Sequence, residues 1–130
     1  MKIGELIQTA DWKKEKHAPV IDSPDVVTGG EEFMVTISIG KEIPHPNTTE
    51  HHISWIDLFF HPEGEKFAYH VGRFEFMGHG ESVKGANEGP VYAEPKLTAA
   101  VKVKTAGVFH AVSHCNIHGL WEGDKEIRLA

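Results

Sequence analysis

The chain has 130 residues, 40% of them hydrophobic and 25% charged, with 13 Lys and Arg against 19 Asp and Glu. That length suits one domain with its own core, spanning residues 1–130, and the composition excludes a disordered or collagen-like chain. A formal net charge of −6, a pI of 5.9 and the lack of any dense Lys and Arg cluster make nucleic acid a poor partner.

Met1 to Ala10 has neither the cationic start nor the apolar run of a signal peptide, and no later stretch is apolar enough to span a bilayer, so the expected location is cytoplasmic, away from membranes. Only the first dozen residues carry any helical period, which suggests a short N-terminal arm. Pro19 to Asp22 reads as an edge strand. Phe33 to Ile39 alternates, with Phe33, Val35, Ile37 and Ile39 on one face, the period of a half-buried strand. Ile53 to Phe60 is apolar on both faces, as for a strand wedged between layers. Phe67 to Phe76 follows as another strand, and His79 to Pro95, rich in glycine and proline, as a long surface loop. Leu97 to Val103 and Val108 to His114 alternate on either side of Ala106-Gly107 and predict a hairpin. Lys125 to Leu129 closes the series. Short strands between turns predict an all-β protein, an immunoglobulin-like antiparallel β-sandwich or small barrel.

The ten histidines are the compositional anomaly, and imidazole is a common metal ligand. The one cysteine, Cys115, excludes an intramolecular disulfide and a cysteine-only metal site within the chain. Three groups stand out: Glu15-Lys16-His17, the segment from His45 to His52, and Cys115-Asn116-Ile117-His118. A turn at the end of a strand can aim Cys115 and His118 at one ion, while Pro44 and Pro46 stiffen the loop around His45. One thiolate with several imidazoles suits zinc, copper or iron. Structural zinc takes mostly cysteines, and no methionine follows Cys115 at the short spacing of a blue-copper site, so ferrous iron with more than four ligands fits better.

The strings EKHAPVI, GKEIPHPNTTEHHI and CNIHGLW, with VGRFEFMGHGESV and VYAEP, resemble the superoxide reductase family, specifically its one-iron, neelaredoxin-like members. The likeness spans nearly the whole chain. It implies reduction of superoxide to hydrogen peroxide at one iron ion per chain, cycling between Fe2+ and Fe3+. It further implies that His17, His45, His51 and His118 form a plane around the iron, His118 through Nδ1 and the others through Nε2. Cys115 supplies an axial thiolate. Glu15 matches a carboxylate that closes the sixth position in the oxidised state, and Lys16 matches a cation beside the open one. A rubredoxin-like electron donor and a homo-oligomer, dimer or tetramer, are implied in the same way. Two positions depart from the pattern: His114 stands where relatives carry tyrosine before the cysteine, and Ala86 where a loop proline precedes the asparagine.

The remaining histidines, His52, His61, His70, His79, His110 and His114, read as non-ligands, because a lone histidine is usually a satisfied surface or core group. Lys13 to Lys16 taken alone is an ordinary solvated run. Trp12, Trp55 and Trp121 are expected as core or rim anchors, with Trp121 shielding the thiolate. The competing functions are a superoxide dismutase-like activity, which needs no external reductant, and a non-catalytic metal-binding β-sandwich module.

Overall fold

The structure, a computed structural model, describes residues 1–130. After a single 3-10 turn at Ile3–Glu5 come eight strands: β1 (Val20–Asp22), β2 (Val26–Val27), β3 (Phe33–Ser38), β4 (Ile53–Pro62), β5 (Tyr69–Glu75), β6 (Lys96–Val101), β7 (Gly107–Cys115) and β8 (Gly119–Leu129). They form two sheets, ordered β1-β3-β6 and β2-β8-β7-β4-β5. All pairings are antiparallel except the short β2–β8 contact. The result is the all-β, two-layer sandwich expected from the turn-separated strands.

Alternation decides which face of each strand meets the other sheet. Val35 and Ile37 of β3 face Ile56, Leu58 and Phe60 of β4 and Phe109 and Ala111 of β7 in one continuous core. Phe109 is fully buried, with Phe33 edge-on at 6.0 Å and Phe60 at 4.9 Å between ring centroids. Removing such a ring costs about 3–5 kcal/mol, so the layers are pinned to each other here. In β4 a register shift between Ile53 and Trp55 re-phases the strand, so that Ile53 and Ile56 both point inward. Trp55 and Phe59 are only half-buried on the outer face, so β4 is not enclosed by two layers. Its outer apolar side chains are covered by neighbouring side chains instead: the Arg73 guanidinium lies 4.3 Å from the Trp55 ring, and His70 packs on Phe59.

The predicted hairpin of 97–103 with 108–114 does not form. β6 pairs with β3, Val35 opposite Ala99, whereas β7 lies in the other sheet between β4 and β8. Ala106-Gly107 carries the chain from one layer to the other: Gly107 already pairs with Pro62, and a Cβ there would collide with the His61 carbonyl. The last strand is longer than Lys125 to Leu129, beginning at Gly119.

These registers gather the functional segments at one end of the sandwich. Val20 pairs with Ser38, so the arm before β1 arrives where β3 runs out into the β3–β4 loop. Ile53, where that loop ends, pairs with Cys115, and Cys115 pairs with Gly119 across the β7–β8 turn. Gly123 on β8 lets the arm lie close, since a Cβ there would strike the Pro19 carbonyl oxygen.

Candidate metal centre

Three connections meet at this end, each carrying donor atoms. Cys115, the last residue of β7, is fully buried. The turn after it brings the His118 backbone N–H to donate to Cys115 Sγ at 3.4 Å and sets His118 Nδ1 at 3.8 Å from the sulfur. An N–H directed at a ligand sulfur orients it and tunes its electron density at a bound metal. The β3–β4 loop supplies His45 and His51. Its entry is shaped by Gly40, whose φ of +80° and 2.7 Å separation between an added Cβ and the His45 backbone nitrogen admit no side chain. The arm supplies His17.

Ligand atoms of His17, His45, His51 and Cys115 all lie within 4.8 Å of one another. His118 joins them through Nδ1, 3.1 Å from His17 Nε2. The four imidazoles close a cycle with centroid separations of 4.8 Å (His17–His45), 4.8 Å (His45–His51), 5.1 Å (His51–His118) and 4.7 Å (His118–His17), and 6.5 Å across from His17 to His51.

Hydrogen bonding fixes which nitrogens are free. His45 Nδ1 donates to the Pro46 carbonyl at 2.6 Å, leaving the Nε2 lone pair bare. His17 Nδ1 lies 2.5 Å from Glu15 Oε1, which turns Nε2 inward. His45 Nε2 and His51 Nε2 are buried with no hydrogen-bond partner. Buried imidazole nitrogens are normally satisfied, so two orphans facing a cysteine sulfur fit an ion as the missing partner. Burial pushes the pKa of His45 down to about 4 and that of His51 down as well, with neighbouring imidazoles and Lys16 acting in the same direction. Both rings are therefore neutral near pH 7, the form that binds metal.

The other expected residues take distinct places. The Glu15 carboxylate is not among the clustered donors: it accepts from the His17 backbone N–H at 2.5 Å, the Ala18 N–H at 2.9 Å and His17 Nδ1. Those bonds hold its pKa below the ordinary glutamate value although burial acts in the opposite direction as the largest single influence. Lys16 is half-buried, forms no ion pair and directs its charge at His45 and His51. Trp121 lies against two of the histidines. Its ring stacks on His17 at 4.8 Å and 14°, and its Nε1–H donates to the His118 carbonyl at 3.2 Å.

None of the remaining histidines joins the group. His52 and His79 stack face to face at 3.5 Å, His52 Nδ1 on the Thr48 carbonyl and His79 Nε2 on the Phe76 carbonyl. His61 bonds the Glu65 carbonyl, His70 pairs with Asp57, and His114 stacks on Trp55. Sequence reasoning missed the side-chain roles of three asparagines, one in the loop and two beside it. Asn116 donates to the Glu50 carbonyl and accepts from the His52 N–H, Asn47 donates to the Ala93 carbonyl, and Asn87 bonds both Thr49 and Glu50. The signal was weak, though Asn is the residue type that most readily takes the left-handed conformation Asn87 shows at φ 62°.

The family model described as Desulfoferrodoxin matches residues 9–124. The chain is 58% identical over 129 residues to the neelaredoxin of Megalodesulfovibrio gigas, covering 99% of each, and 55% identical to the superoxide reductase of Pyrococcus furiosus, covering 94% of this chain and 96% of that one. Among solved structures, superoxide reductase (neelaredoxin) from Archaeoglobus fulgidus in the reduced form superposes with a TM-score of 0.89 at 56% identity, over 95% of this chain and 99% of that one. The match to the family's model and relatives this similar over nearly their whole lengths place the chain in the desulfoferrodoxin family.

Proposed function

We propose that residues 1–130 act as one iron-binding domain whose reaction is the one-electron reduction of superoxide: O2•−, one electron and two protons give hydrogen peroxide. The chain is an oxidoreductase acting on superoxide, and its cofactor is one iron ion. The observation that carries this reading is the pair of orphaned, buried Nε2 atoms of His45 and His51 facing Cys115 Sγ, in a chain so similar to superoxide reductases. His17, His45, His51, His118 and Cys115 hold the metal. Iron bound there supplies the one-electron chemistry, alternating between its ferrous and ferric states.

The protein's own groups prepare and guard that centre. Lys16 offsets an overall charge of −6 and attracts the superoxide anion to the one unpaired cation that bears on His45 and His51. Trp121 shields the His17 face from water, and the His118 N–H directed at Cys115 Sγ orients the sulfur in the site. Glu15 fixes the His17 tautomer. Were its carboxylate also to serve as a ligand of a bound metal, it would have to move away from the bonds it makes to His17 and Ala18. A rubredoxin-like protein as electron donor, a homo-oligomeric state and a cytoplasmic location complete the reading, and they rest on the family resemblance.

Anaerobic purification, metal analysis and superoxide consumption with and without a reductant test it together. One iron per chain, a visible thiolate-to-ferric band on oxidation and consumption that needs reductant are expected. Consumption that proceeds without reductant and evolves oxygen indicates a dismutase, and a metal-free protein leaves a binding module.

A further inference from the structure

The β3–β4 loop carries two of the proposed ligands yet belongs to no sheet, so something else must hold His45 and His51 in place. Its internal bonds centre on Thr48 and its flanking histidines: the Thr48 N–H donates to the His51 carbonyl at 2.9 Å, the His51 N–H to Thr48 Oγ1 at 3.0 Å, and His52 Nδ1 and His45 Nδ1 bond the Thr48 and Pro46 carbonyls. The apex, Thr49 and Glu50, lies between the two ligands and makes no such internal bond. It is held from outside by the segment between β5 and β6 and, at the Glu50 carbonyl, by Asn116 Nδ2 at 2.8 Å.

Asn87 is the centre of that grip. Its Oδ1 accepts from the Thr49 N–H at 2.8 Å, its own N–H donates to Thr49 Oγ1 at 3.2 Å, and its Nδ2 donates to both Glu50 carboxylate oxygens at 2.9 Å. Thr49 Oγ1 in turn donates to the His79 carbonyl at 2.6 Å, so the hydroxyl both donates and accepts. Asn87 does this in the left-handed conformation, and it is the one non-glycine residue at positive φ. The segment is itself braced: Tyr92 Oη donates to the Asn87 carbonyl, and the Gly89 N–H donates to the Gly80 carbonyl at 2.9 Å. Gly80 sits so close under the Tyr92 ring that a Cβ would overlap it. This is a built support, and the bonds Asn87 makes to the loop all fall between His45 and His51.

We infer that Asn87 is a positioning residue for the metal centre: by clamping Thr49 and Glu50 it presets the loop so that His45 and His51 present their Nε2 atoms before the ion arrives. The inference rests on the iron site proposed above. A support of this kind acts through the ligands it orients, and its loss typically costs about 10–100-fold in metal affinity.

The test is the rate at which a chelator removes ferrous iron from the iron-loaded protein, read beside backbone amide hydrogen exchange. Asn87→Gly tolerates the positive φ and deletes only the side-chain bonds. Asn87→Asp keeps an acceptor for the Thr49 N–H but sets a second carboxylate against Glu50. Both should release iron on the order of tenfold faster, with faster exchange confined to residues 47–52 and none added in β7. Combining Asn87→Asp with Glu50→Gln restores a donor and acceptor pair and should return release to the parent rate. Val83→Ala, at an exposed position in the same segment, should match the parent. Unchanged release in Asn87→Gly overturns the inference, as does acceleration that Glu50→Gln fails to rescue or faster exchange spread through β7. A parent protein that holds no iron overturns the metal centre itself, whereas one iron per chain with indifferent variants overturns only the clamp.

Discussion

Two groups of histidines lie within a few residues of each other and differ in one respect. In the stacked pair, His52 Nδ1 and His79 Nε2 each meet a backbone carbonyl. In the cycle of His17, His45, His51 and His118, two buried Nε2 atoms meet no protein partner. Adjacent residues of one loop, His51 and His52, fall on opposite sides of this division. Ring chemistry is identical in both groups, so what marks His45 and His51 is an Nε2 that is enclosed and that no protein group answers.

The hardest test of that contrast removes the sulfur. Cys115→Ser should keep the fold but lose the thiolate-to-ferric band in the visible spectrum and more than about 100-fold of the reductase rate, since even changes behind the ligands cost about 10–100-fold. A blue, active Cys115→Ser protein breaks the model. Next come the histidines themselves. His45→Ala and His51→Ala should lower the iron content found by metal analysis. His79→Ala should leave iron near one per chain while costing about 1–3 kcal/mol in denaturant unfolding, because the Phe76 carbonyl loses its donor. His61→Ala should do neither. Equal iron loss in all four erases the distinction between the groups.

A smaller effect is expected from the cation. Lys16→Ala should retain full iron but slow the second-order reaction with superoxide by about 3–10-fold, with a weaker dependence on ionic strength, and Lys16→Arg should recover part of the rate. Lys13→Ala is the comparison, because Lys13 lies over the Trp12 ring, 5.6 Å from its centroid. Rapid-mixing kinetics in which both variants slow equally would remove any specific role for Lys16.

The smallest effect is a pH dependence of the iron-free protein. The His45 pKa is about 4 in the folded chain against 6.5 as its reference value. Between those values the unfolded chain takes up the proton and the folded one resists it. Stability is therefore unaffected by this group above about pH 6.5 and falls as the pH drops from there towards 4. His45→Gln should flatten that part of the curve in urea unfolding, and an unchanged curve would place His45 outside the buried cluster.

Much of the architecture was legible because alternation reports burial directly. Val35 and Ile37 on one face of β3 needed only the strand period. The partner of a strand is another matter. Alternation fixes which face of β6 is apolar but not which strand lies beside it, so proximity in sequence suggested β7 where the structure chose β3. The front of β8 was hidden because Gly119 to Asp124 mixes Trp121, Glu122 and Gly123 with no period, its contacts being with the arm and the site. At the site, local strings exposed Cys115 with His118 and the histidine-rich loop. The orientation of Glu15 towards His17 Nδ1 and the grip of Asn87 were not legible, since both depend on contacts that no spacing encodes.

His17 Nε2 and His118 Nδ1 touch although 101 positions separate them in the chain. At a synthesis rate of 5–20 residues per second, the first donor waits on the order of 5–20 s for the last, and the sulfur emerges only three positions earlier. During that interval the nascent chain offers imidazoles without the thiolate, a donor set that copper, nickel and zinc occupy more readily than ferrous iron. Delivery of the correct ion is thus a problem of timing as well as of affinity, and it is settled only once β7 has been made and laid against β4.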